Sequence, residues 1–100
     1  MATDIPDEKA APTLREGVDY EVAEDVFGDL IGWCAAQAEA ESAKPDPDPA
    51  VLQKWEDQAT QYVAERKALD PRDRAAVAAA IAKYTPLVRQ LYPGRWTDDD

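Results

Sequence analysis

The chain of 100 residues contains no histidine and a single cysteine. Without histidine, Ser-His and Cys-His nucleophile pairs, histidine-ligated zinc and a histidine general base are all excluded. The lone thiol, Cys34, excludes an internal disulfide and suits a reducing cytoplasm. Basic residues are scarce, 11 Lys and Arg against 21 Asp and Glu, for a formal net charge of −10. That imbalance argues against nucleic acid as a direct ligand and against an anionic membrane surface, since both would repel the chain. No apolar run approaches the roughly 20 residues of a membrane span. The N-terminus also lacks the basic-then-apolar order of a signal peptide. What the chain does have is 45% hydrophobic residues, enough for the core of one small domain and too few residues for two.

Residues 1–17 carry Pro6 and Pro12, with only Ile5 and Leu14 as large apolar side chains. Burial there falls short of the entropy of ordering the segment, so the expectation is a disordered tail. A single helical domain is expected over 18–96, followed by an acidic tail at 97–100. The first helix is expected over about Asp19–Ala43, with Asp19 as its cap. Ala23, Phe27, Leu30 and Cys34 recur at 4-3-4 spacing, with Val26 beside them and Ile31 and Trp33 on the shoulders, which is the pattern of a buried helical stripe. Gly28 and Gly32 form a Gly-x-x-x-Gly pair, read first as a packing contact within the bundle.

The alternating prolines Pro45, Pro47 and Pro49 end that helix, because the residue before each ring is driven to extended conformations. Asp48 and Pro49 then serve as N-cap and first residue of a second helix reaching about Leu69. Its stripe is Leu52, Trp55, Ala59, Tyr62, Arg66 and Leu69, with Trp55 expected in the core. Asp70-Pro71 repeats the start signal, with Asp73 three residues after Asp70 where a capping box has Glu. The third helix carries Val77, Ile81, Tyr84, Val88 and Leu91, and Pro86 either kinks it or splits it at Thr85. The fold class is therefore all-α, a small antiparallel three-helix bundle with the second and third helices as direct neighbours.

Charge is segregated along the chain. The first helix holds Asp19, Glu21, Glu24, Asp25, Asp29, Glu39 and Glu41 and no cation, whereas residues 71–97 hold Arg72, Arg74, Lys83, Arg89 and Arg95 against Asp73 alone. Attraction between the first and third helices explains this blandly. A sharper reading is an acidic face that engages a basic protein surface, with Glu21, Glu24, Asp25 and Asp29 as its contacts. Arg66, in line with Tyr62 and Leu69, either snorkels to the rim, pairs with Glu24 or Asp29, or waits for a partner's carboxylate. Trp33 and Trp96 lie at the edges of their patterns and are candidate anchors. Trp96 either folds back over the bundle or reaches outward. Cys34 lies on the apolar face as a small hydrophobe.

The Glu21-x-x-Glu24 pair resembles the first half of the metal motif of all-α nucleotide pyrophosphohydrolases of the MazG and dUTPase type. That resemblance implies a carboxylate-metal hydrolase working as an oligomer. The second helix offers Glu56, Asp57 and Glu65 but no Glu-x-x-Asp to complete it. The leading expectation is not an enzyme. It is a cytoplasmic protein-binding module without cofactor or metal, of the antitoxin, immunity, anti-activator or phage-inhibitor kind, that occludes a basic surface on another protein. A self-associating homo-oligomeric bundle is the structural alternative.

Overall fold

The computed structural model describes residues 11–94. They form three helices: α1 (Leu14–Ser42), α2 (Pro49–Ala68) and α3 (Arg74–Leu91). No strand occurs among the described residues, and no helix there is long and apolar enough to cross a membrane.

The start of α1 departs from expectation. Asp19 is not its cap; the helix begins at Leu14, inside the segment expected to be a tail, because Thr13 and Glu16 close a capping box. The Thr13 hydroxyl accepts from the Glu16 N–H at 3.1 Å, and the Glu16 carboxylate accepts from the Thr13 N–H at 2.9 Å. Two orphan donors are satisfied together, which offsets the weak apolar content of the first turn. Residues 1–10 and the expected tail at 97–100 lie outside the described residues.

The start of α2 follows the sequence signal. Asp48 accepts from the Ala50 N–H at 2.9 Å, with Pro49 first in the helix. At α3 the cap is Asp73 rather than Asp70, its side chain accepting from the Ala76 N–H at 3.0 Å. Asp70 instead closes the preceding turn, accepting from the Arg72 backbone and guanidinium. Pro71 therefore belongs to the turn. Across Pro86, α3 continues unbroken to Leu91, so no separate short helix begins there.

The stripes predicted from spacing are the faces that go inside. Ala23, Val26, Phe27, Leu30 and Cys34 of α1 are buried, with Val77, Tyr84 and Val88 of α3. From α2 only Tyr62 is buried. The three helices meet where Tyr84 packs edge-on against both Phe27 and Tyr62, at centroid distances of 5.3 and 5.6 Å. Aromatic pairs favour this geometry because the positive ring edge faces the negative ring face.

The helices are not equivalent. α1 packs against both others, whereas the Cα atoms of α2 and α3 stay more than 8 Å apart. The expectation that α2 and α3 are direct neighbours is thus corrected: they meet through long side chains. The Tyr84 hydroxyl donates to Glu65 Oε1 at 2.6 Å. Burial and then the Glu65 carboxylate push the Tyr84 phenol well above its ordinary range. Against burial, which acts the other way, the Tyr84 and Gln61 donors hold Glu65 below the usual carboxylate value.

Candidate functional site

The side chains expected to form one acidic site are distributed over three parts of α1. Glu21 and Asp25 are exposed on its outward side. Neither forms an ion pair among the described residues; the pairs there join sequence neighbours, Arg15–Asp19, Lys44–Glu41 and Arg72–Asp70. Cross-helix neutralisation of these two carboxylates is absent among those residues. Asp29 and Trp33 border α3 and are half-buried. Tyr92 joins them: its hydroxyl donates to the Asp29 carbonyl at 3.1 Å and its ring meets Trp33 edge-on at 5.6 Å. Glu24 and Arg66 are half-buried on the α2 side. Burial and then Glu24 raise the Tyr20 phenol, while Arg66 lowers it, so these three groups share one neighbourhood. Arg66 makes no ion pair with Glu24 or Asp29. Trp96 lies outside the described residues.

Gly28 and Gly32 are exposed on the same side as Glu21 and Asp25. A Cβ added at either would meet nothing within 4 Å. The expected packing role inside the bundle is therefore overturned. Next to them stand apolar side chains, of which Leu14 falls in the expected tail and Val18 at its margin. Leu14, Val18 and Val22 are 85, 49 and 42% exposed, at i, i+4 and i+8 on α1. The signal that could have found Leu14 and Val18 was the Thr13-x-x-Glu16 capping box.

A second feature is a groove of about 240 Å³ between α2 and α3, floored by α1. Leu30, Trp33 and Cys34 form the floor, and Trp55, Leu87 and Leu91 contribute walls. Trp55 is thus half-buried at a rim rather than enclosed in the core. Burial raises the Cys34 pKa, so the thiol stays protonated and unreactive at neutral pH.

Metal chemistry finds no such convergence. Among the described residues no three acidic or cysteine side chains are grouped to hold a metal ion, so Glu21 and Glu24, neighbours at i, i+3 on α1, gain no third ligand there. Comparison with known proteins gives no match: no family model, curated protein or solved structure corresponds to the chain.

Proposed function

We propose that the chain is a protein-binding module, acting by contact rather than catalysis, that inhibits, regulates or assembles a partner by covering a basic surface. The observation that carries this is the pair Glu21 and Asp25, exposed and without an ion pair among the described residues. Unneutralised carboxylates on an outward helix face accelerate encounter with a cationic surface and discriminate among partners. Leu14, Val18 and Val22 supply adjoining apolar area, which anchors a complex that charge alone would only steer. Asp29, Trp33, Glu24 and Arg66 flank this face and orient it rather than forming its centre. A free thiol and a histidine-free chain fit a reducing cytoplasmic setting.

The helix order that fits these contacts is an antiparallel one. Phe27 and then Trp33 of α1 meet Tyr84 and then Tyr92 of the α3 end, which supports α1 and α3 running in one direction. Tyr62 meets Tyr84 while Trp55 shares a groove with Leu91, which supports α2 running against them. A bend at Pro86 accompanies the loss of its hydrogen bond to the Ala82 carbonyl.

The test is a matched pair of baits, the wild type and Glu21→Lys/Asp25→Lys, presented to a native extract and then to each captured protein in purified form. A partner with a basic surface should associate more slowly with the variant, with dissociation little changed, and the wild-type rate should fall as salt rises. Equal, salt-insensitive association of both baits would refute the proposal. Self-association is a second reading, favoured by the exposed Leu14, Val18 and Val22 and opposed by a net charge of −10. Light scattering across a concentration series separates the two.

A further inference from the structure

We propose that the groove between α2 and α3 is a docking site for the chain's own segment 95–100, with Trp96 entering it and the following aspartates meeting Lys54. The groove is largely apolar, lined by Leu30, Trp33, Trp55, Leu87 and Leu91, and Lys54 is the charged residue among its walls. Lys54 lies 4.9 Å from the centre of the Trp55 ring and forms no ion pair among the described residues. An occupant suited to it has an aromatic body and an anionic end. Arg95-Trp96-Thr97-Asp98-Asp99-Asp100 offers that combination in that order.

Position argues for the same occupant. Leu91 lines the groove, and Tyr92 meets Trp33, another lining residue, edge-on. Trp96 follows Tyr92 by four residues, a reach of at most about 14 Å. α3 has already ended at Leu91 with Tyr92 as its C-cap, and Gly94, at φ +88°, adopts a left-handed conformation beyond it that redirects the chain. A tethered segment this close has an effective concentration on the order of millimolar, so it occupies the groove ahead of free aromatic anions.

The experiment uses 1-anilinonaphthalene-8-sulfonate, an aromatic anion, on four proteins: the full chain, Trp96→Ala, a chain ending at Gly94, and that shorter chain carrying Lys54→Glu. Circular dichroism checks that each remains helical. The probe should bind Trp96→Ala and the shorter chain several-fold more tightly than the full chain, and Lys54→Glu should reverse that gain. Melting temperatures of Trp96→Ala and the shorter chain should fall together. Equal probe binding and equal melting for the full chain and Trp96→Ala would overturn the proposal. So would protection that appears only at high protein concentration, since the groove would then be filled by another copy. No partner is present in this experiment, so its failure leaves the reading of the outward α1 face untouched.

Discussion

Glu41 is a carboxylate with a structural task. Its side chain is only 8% exposed and accepts from Lys44 Nζ at 2.8 Å and from the Asp48 N–H at 2.9 Å. It thereby ties the end of α1 to the cap residue of α2 across the proline-rich link. The Lys44 hydrogen bond first, and then the Asp48 N–H, hold its pKa below the usual 4.5. A depressed carboxyl pKa means that the contribution to stability is complete above the unfolded-state value. It is lost as pH falls through the folded-state value. Glu41→Gln should lower the melting temperature at neutral pH, and the gap from wild type should close as pH falls through the folded-state value of Glu41. Thermal melts of both proteins across that range check it; a gap independent of pH would exclude the ionic role. Sequence alone gave no sign of this residue, because a Glu near a helix end ordinarily stays in water, and its acceptor contacts depend on where the loop brings Asp48.

Among the elements, α1 is the one whose sequence conflicts with its own stability. Glycine in a helix interior costs about 1 kcal/mol relative to alanine, and Gly28 and Gly32 have open space around the missing Cβ. Gly28→Ala/Gly32→Ala should therefore stabilise the free protein by about 2 kcal/mol, raising its melting temperature by about 8–16 °C for a domain of this size. If the outward face receives a partner closely, the same variant should bind that partner less tightly, a trade visible by comparing calorimetric melts with binding isotherms. The 3-4 stripes were legible because burial follows helical periodicity: each of Phe27, Leu30, Cys34, Tyr84 and Val88 is buried. Helix starts were legible where a short polar side chain stood directly before the helix, as at Asp48. They were misread where two aspartates competed, as at Asp70 and Asp73, and where a sparse segment hid a capping box at Thr13. The exposure of the glycines needed the helix partners, since periodicity alone does not say how many faces of α1 are covered.

For the whole molecule, an excess of ten negative charges works against compactness through self-repulsion. The ion pairs among the described residues are short-range, so salt has little cross-helix attraction to screen there. Raising ionic strength from about 0.01 M to 0.15 M shortens the Debye length from about 30 Å to 8 Å, and the melting temperature should rise. A fall would mean that favourable long-range pairing dominates. The acidic surplus of the first helix was legible as composition, but its division into an exposed pair, an α3 border and an α2 border was not. The groove was equally hidden, since it exists only because α2 and α3 rest apart.

That separation has a mechanical consequence. α1 serves as a shared spine with two flanking ribs, and each rib owes its seat to the spine more than to its fellow. A nick in the link at 69–73 would leave both ribs seated, whereas severing the spine near Leu30 would unseat them together.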